Sequence, residues 1–358
     1  MRHAKIKTIL WWGRLGNYGP DYPRNRTVID CLESIGFSVV HFQPRISAFA
    51  DLEAKLKSFH NISAVWVPCF RQRDVSAAAR WSRRNGVPLI FDPLISAFDK
   101  RVGEKRKYAA HSLRGKRLLA WERKLFADAD HLIADTQCHK EYFSEQLQFP
   151  IDNISVVPVS AEENLFYPRN TATNEIPEAL FFGTFIGLQG AEFIARSIQF
   201  YAGPAFRMTF LGQGPDRVKC EEICAAYPND LVQVKFEDWI AFEALPERIA
   251  DADLCLGVFG TGEKTARVIP NKVYQALACG KPVLTMFADA YPPDIESEQT
   301  GISWVKPGSP EAIATSISEL FSAQNLRQKH VEKLPFETYR RYFSNHRIRT
   351  TLSEILKM

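Results

Sequence analysis

The sequence has no Cys-X-X-Cys pair, and its seven cysteines, Cys31, Cys69, Cys138, Cys220, Cys224, Cys255 and Cys279, are an odd number. That pattern argues against a disulfide framework and for a reducing, cytoplasmic setting. No stretch approaches 18 apolar residues, the length a membrane-spanning helix needs. Near the start, Thr8-Ile9-Leu10-Trp11-Trp12 is too short to be the core of a signal peptide. The eight histidines are scattered, no His/Cys cluster has zinc spacing, and no Ser/His/Asp or Cys/His signature occurs. Low-complexity tracts and short repeats are missing too. Charge of one sign is also scarce: 45 Lys plus Arg against 41 Asp plus Glu leaves +4, too mild to indicate nucleic acid as a partner. What is present is ordinary globular composition, 46% hydrophobic and 24% charged over 358 residues, enough chain for two domains with large cores.

The order of segments points to an α/β fold. Ile6 to Trp12 reads as a strand, the stretch from Gly13 to Gly19 as a glycine loop, and Arg26 to Gly36 as a helix leading into a strand from Phe37 to Phe42. A helix from Ala48 to His60, a strand from Ala64 to Pro68, a helix from Val75 to Asn85 and a strand from Val87 to Phe91 continue the alternation. Such alternation builds a parallel sheet covered on both faces. A second series opens after the Phe166 to Pro177 stretch, with a strand at Ala179 to Phe182, a helix at Ala191 to Phe200 and a strand at Arg207 to Leu211. The segments around Asp128 to Asp130 and Asp251 to Asp253 repeat an Asp-Ala-Asp phrase between a helix and a strand. A polar turn explains both, and no metal site is expected there.

The segment from Gly257 to Leu284 carries most of the chemical signal. It reads strand, loop, helix, strand, with Asn271 as the expected N-cap, Gly280 as the helix stop and Pro282 beyond it. Free N–H groups at the helix start favour an anion, and Lys264, Arg267 and Lys272 place three cations within nine residues. A diphosphate suits that arrangement, and a solvated surface loop is the plain alternative. Gln275 follows Asn271 by one helical turn, within reach of a sugar hydroxyl beside a phosphate at the helix start. In the first half, Tyr22, Arg24 and Asn25 open a helix with donors suited to a sugar or phosphate, or simply to solvent. Asp92 stands at the end of a buried strand, where it would orient an acceptor hydroxyl or merely make an Asp-Pro turn. Between Lys100 and Lys124, ten basic residues against Glu104 and Glu122 are interleaved with apolar ones. That stretch is either an ordinary amphipathic helix or a surface for anionic lipid.

Several phrases resemble, in order and spacing over nearly the whole chain, the retaining family 4 glycosyltransferases of the GT-B fold. They are Trp12 to Arg26, Phe181-Phe-Gly-Thr-Phe-Ile-Gly-Leu-Gln-Gly190, Leu211-Gly-Gln-Gly-Pro215, Ala278-Cys-Gly-Lys-Pro282 and Gly301 to Gly308. The resemblance implies two doubly wound, Rossmann-like domains facing a central cleft. Residues 1–166 would form the acceptor-side domain, 167–335 the nucleotide-sugar-binding domain and 336–358 closing helices that pack back toward the first domain. It implies transfer from a nucleotide-diphosphate sugar, with retention, to a saccharide or lipid-linked saccharide in cell-surface polysaccharide synthesis. The protein would work in the cytoplasm, peripheral to the inner face of the membrane through residues 100–124, with no cofactor or metal besides the donor.

Within that frame, Gly13, Gly16, Asn17, Gly183, Thr184, Lys264, Arg267, Asn271, Lys272 and Gln275 are expected at the donor, and Asp92, Lys272 and Arg267 in the reaction. The family's two donor-element glutamates, eight positions apart, are replaced by Arg267 and Gln275, and its usual Arg and Lys of the second domain's first loop by Thr184 and Gln189. Two alternatives stay open, a nucleotide-sugar epimerase of the same fold and a non-catalytic scaffold subunit.

Overall fold

A computed structural model describes residues 7–14, 22–104, 107–171, 174–296, 299–322 and 333–357. Two compact units emerge: residues 1–159 with 345–358, and residues 160–344. The division falls a few residues before the expected position 166, and the closing helices part company, one remaining in each unit.

The first unit holds a six-stranded parallel sheet of β1 (Lys7–Trp12), β2 (Phe37–Phe42), β3 (Ile62–Val67), β4 (Leu89–Phe91), β5 (His131–Ala134) and β6 (Ile154–Val156), in the order β2-β1-β3-β4-β5-β6. Side chains of a strand alternate between faces, and the sheet is covered on both. Leu10 and Trp12 enter one core with Phe42, Val65, Trp81 and Phe126. Ile9 and Trp11 enter another, where Trp11 and Trp66 stack at 5.8 Å beside Val28 and Leu32 of α1 (Pro23–Ser34) and Ile348 and Leu352 of α12 (Asn345–Ile355). The remaining helices of this unit are α2 (Ala50–Leu56), α3 (Val75–Asn85), α4 (Leu113–Phe126) and α5 (Gln137–Glu145). α2 is shorter than the expected 48–60 span because its apolar residues Leu52 and Leu56 stay exposed and offer it little packing.

The second unit's parallel sheet contains β7 (Glu178–Phe182), β8 (Phe206–Leu211), β9 (Val232–Glu237), β10 (Leu254–Leu256), β11 (Val283–Met286) and β12 (Ile302–Val305), in the order β12-β11-β10-β7-β8-β9. Strand order reverses between β7 and β10, the position at which doubly wound sheets open a crevice at their carboxyl ends. Around it lie α6 (Ala191–Ser197), α7 (Arg217–Ala226), α8 (Leu245–Asp251), α9 (Asn271–Ala278), α10 (Pro310–Ser322) and α11 (Leu334–Tyr342). α11 packs on α9, where Tyr274 meets Phe343 edge to face at 5.0 Å. Among the described residues no helix is long and apolar enough to cross a membrane.

The two Asp-Ala-Asp phrases are structural turns. Asp130 accepts a hydrogen bond from the Leu89 amide at 2.8 Å, and Asp253 accepts one from the Glu178 amide at 2.8 Å. Each carboxylate thereby pins the start of the neighbouring strand.

Candidate functional site

In the second unit two of the expected donor residues, Gly183 and Lys272, meet at the end of β7. α9 starts at Asn271, but its N-cap is Pro270, which has extended backbone and no side chain able to cap; Asn271 is the first helical residue and not the cap. The reason lies in the preceding Ile269-Pro270, since proline fixes its own φ and disfavours helix in the residue before it. The helix ends as expected. The Gly280 amide donates to Leu277 O and the Lys281 amide to Ala276 O, the closing pair that a left-handed glycine permits.

Lys272, the second residue of α9, is the central feature. It is 5% exposed, and its Nζ has no hydrogen-bond partner among the described residues. The amine lies 3.7 Å from the centre of the Phe181 ring. Burial holds its pKa well below the ordinary lysine value. Beside it, Gln189 Oε1 is also buried without a partner among the described residues. Gly183 lies between them at the end of β7 with φ of +149°, and a Cβ there would come 3.1 Å from Lys272 Nζ and 3.7 Å from Gln189 Oε1. An amine and an amide oxygen left unpartnered in one crevice are costly unless a ligand completes them. The amine calls for an anion and the amide oxygen for a hydroxyl.

The loops around this crevice are stitched backbone to backbone. The Phe259 amide donates to Gln189 O at 3.1 Å, and a Cβ on Gly190 would sit 2.5 Å from the Gly260 nitrogen. Gln275 is buried one turn beyond Asn271, Arg267 is half-buried and Thr184 is exposed. The structure therefore gathers Gly183, Lys272 and Gln189 closely. Gly16, Asn17 and the Lys264 side chain lie outside the described residues. Gly183→Ala should weaken anion binding about tenfold through positive-φ strain and crowding of the amine, while Gly187→Ala, which meets open space, should not; calorimetry with a nucleoside diphosphate checks this.

In the first unit, Arg24 and Asn25 do not face solvent, one of the two readings expected of them. Both are fully buried, because the end of β4 offers Arg24 a better partner than solvent: its Nε bonds Asp92 Oδ2 at 2.8 Å, and its Nη1 bonds the Val157 and Pro158 carbonyls at 3.1 and 3.0 Å. Asn25 Oδ1 accepts from Cys69 Sγ at 2.9 Å, and burial pushes that thiol's pKa far above its usual range. Asp92, expected to orient an acceptor hydroxyl or to make an Asp-Pro turn, is 1% exposed, and its Oδ2 is taken up by Arg24. A second buried pair, Asp135 just before the Thr136 N-cap and His139 in the first turn of α5, follows β5. The sequence reading missed it, although an Asp and a His four apart at a helix start is a recognisable i,i+4 signal. Gly13 follows β1 and is half-buried, while Tyr22, the N-cap residue of α1, meets Phe70 edge to face at 5.3 Å.

Residues 100–124 divide between packing and exposure. Glu122 is buried, accepting from Ser96 Oγ and from the Ala97 and Phe98 amides, and Leu119 packs on the core, whereas Leu113 and Trp121 are exposed. Among the described residues no group of three or more His, Cys, Asp or Glu is placed to hold a metal ion.

Comparison with known proteins agrees with this architecture. Residues 176–323 match the family described as glycosyl transferases group 1, and residues 20–160 match the glycosyl transferase 4-like domain. A probable glycosyltransferase, WbjE of Pseudomonas aeruginosa, is 26% identical over 212 residues, which span 55% of this chain and about half the length of that protein. HepE of Anabaena, solved in complex with UDP, matches with a TM-score of 0.70 at 15% identity, covering 98% of this chain and 100% of that one. Sucrose-phosphate synthase from Thermosynechococcus elongatus matches with a TM-score of 0.71 at 16% identity, covering 98% of each chain. Two Rossmann-like units, each matched by a glycosyltransferase family over most of its length, show that the chain belongs to the GT-B glycosyltransferases resembling family 4.

Proposed function

We propose that the protein transfers a sugar, with retention of anomeric configuration, from a nucleotide-diphosphate sugar to a hydroxyl of a saccharide or lipid-linked saccharide in cell-surface polysaccharide synthesis. The observation that carries this reading is the buried, unpartnered Lys272 amine beside Gly183 and Gln189 at the strand-order reversal of the second sheet. A diphosphate there supplies the missing partner, and the amine takes up a proton to meet it. Arg267 and the amide groups at the start of α9 add positive potential for the departing diphosphate. Gln275 is assigned to the ribose and Gln189 to a donor hydroxyl. No metal or further cofactor enters the proposal. HepE, a structural neighbour, has been solved with UDP-glucose as well as UDP, so a uridine donor is the first to test. The proposal places the protein in the cytoplasm, with exposed residues of the 100–124 stretch turned to the inner membrane face.

The test is a panel of UDP-, GDP- and ADP-sugars incubated with and without acceptor, read by release of nucleoside diphosphate and by proton NMR of the product's anomeric centre. Release that requires acceptor and gives the donor's own anomeric configuration is expected. Epimerised donor without acceptor, or binding without turnover, would replace this reading with an epimerase or a scaffold subunit.

A further inference from the structure

The first unit carries a groove of about 950 Å³, apart from the Lys272 crevice of the second unit. Its walls follow the carboxyl ends of four neighbouring strands: Arg14 after β1, Ser47 and Ala48 after β2, Phe70, Arg71 and Arg73 after β3 and Arg101 after β4, with Arg117 and Trp121 of α4 also lining it. Six arginines line it. Two are neutralised, Arg71 by Asp74 at 2.8 Å and Arg80 by Asp51 at 2.7 Å. The other four, Arg14, Arg73, Arg101 and Arg117, are exposed and have no carboxylate partner among the described residues. Asp128 is likewise held, by Arg83 and by Ser76. Four guanidinium groups around one groove repel one another, and a polyanion relieves that repulsion.

The groove is also greasy. Ile46 is 56% exposed and Trp121 37% exposed on its walls. Guanidinium groups beside uncovered aliphatic and aromatic surface suit a ligand with an anionic head and a hydrocarbon tail, and not a free sugar.

We propose that this groove binds the diphosphate of an acceptor whose diphosphate carries a hydrocarbon chain, with Arg14, Arg73, Arg101 and Arg117 on the phosphates and Ile46 and Trp121 on the chain. The inference deepens the acceptor half of the proposed function and rests on it only for the word acceptor.

The experiment uses the full chain with UDP held at saturation, so that the Lys272 crevice does not compete, and titrates geranyl diphosphate by calorimetry. Replacing Arg73→Gln and Arg117→Gln together should weaken the probe about a hundredfold, roughly tenfold for each charged contact, while UDP affinity and melting temperature stay unchanged. Trp121→Ala should weaken geranyl diphosphate and leave inorganic pyrophosphate unaffected. Unchanged probe affinity in the double variant overturns the proposal, as does equal binding of geraniol. Displacement of the probe by phosphatidylglycerol vesicles that Arg73→Gln alone abolishes would also overturn it, because the groove, and not the 100–124 surface, would then read lipid headgroups. Groove binding that persists without any turnover of nucleotide sugars separates this inference from the donor reading.

Discussion

Replacing Lys272→Met should make the free protein more stable and at the same time weaken donor binding. The amine is buried against Phe181 with no hydrogen-bond partner among the described residues, so methionine of similar length removes a desolvation cost and keeps the packing. The expected gain is about 1–3 kcal/mol of unfolding free energy, the cost of one unsatisfied buried polar group. The expected loss is about tenfold to a hundredfold in affinity for a nucleoside diphosphate, the contribution of one charge-assisted hydrogen bond. Gain in one and loss in the other is the mark of a site built for a ligand and not for the fold.

Protonation sharpens this expectation. Because burial lowers the Lys272 pKa, the folded free protein binds fewer protons than the unfolded chain between that lowered value and the ordinary 10.5. Stability of the free protein from this group therefore rises with pH across that window. A bound diphosphate reverses the shift, so binding takes up a proton and weakens as pH rises past the free-state pKa. Calorimetry of UDP binding in buffers of different ionisation enthalpy should show that uptake in the native protein and none in the Lys272→Met variant. A variant with unchanged stability and unchanged UDP affinity would remove Lys272 from the site.

A second large effect is expected at the Arg24–Asp92 pair. Asp92→Ala leaves a fully buried guanidinium bonded only to carbonyls and should cost about 3–5 kcal/mol in urea unfolding. Combining it with Arg24→Met should recover most of that loss, since well-packed apolar residues often replace a buried ion pair at little cost. An Asp92→Ala protein as stable as the native one, yet unable to transfer sugar, would return Asp92 to the role first expected of it, at the acceptor hydroxyl.

The difference between expectation and structure at this pair has a physical origin. A polar residue in the first turn of a helix is ordinarily solvated, and nothing in the local sequence around Arg24 reveals that Asp92, 68 positions away, ends a strand directly beneath it. Strands and helices were legible because they are governed by local periodicity and by punctuation such as Gly280, whose left-handed backbone closes α9. α3 matches its expected bounds of Val75 to Asn85, with Gly86 supplying the left-handed stop. The weakly patterned α2 does not match, since no apolar stripe defined its ends. Lys272 stood out as a cation at a helix start, but its lack of a partner is a tertiary property. Gln189 entered only as the replacement of a usual lysine, and its buried amide oxygen became visible when the loop folded over Gly183. The four unpaired arginines of the groove come from four distant segments, a juxtaposition that sheet order creates and spacing along the chain conceals.

The placement of α12 bears on how the molecule is made. Ile348, Leu352 and Ile355 complete a core whose other members, Ile9, Trp11 and Trp66, are synthesised long before, and all of residues 160–344 emerge in between. At about 5–20 residues per second, a ribosome takes roughly ten to forty seconds to cross that interval. During that time one face of the first sheet has α1 but not α12 to cover it. The half of the protein translated earliest is thus the one finished latest, and newly made chains should be most in need of a chaperone just before the ribosome reaches Asn345.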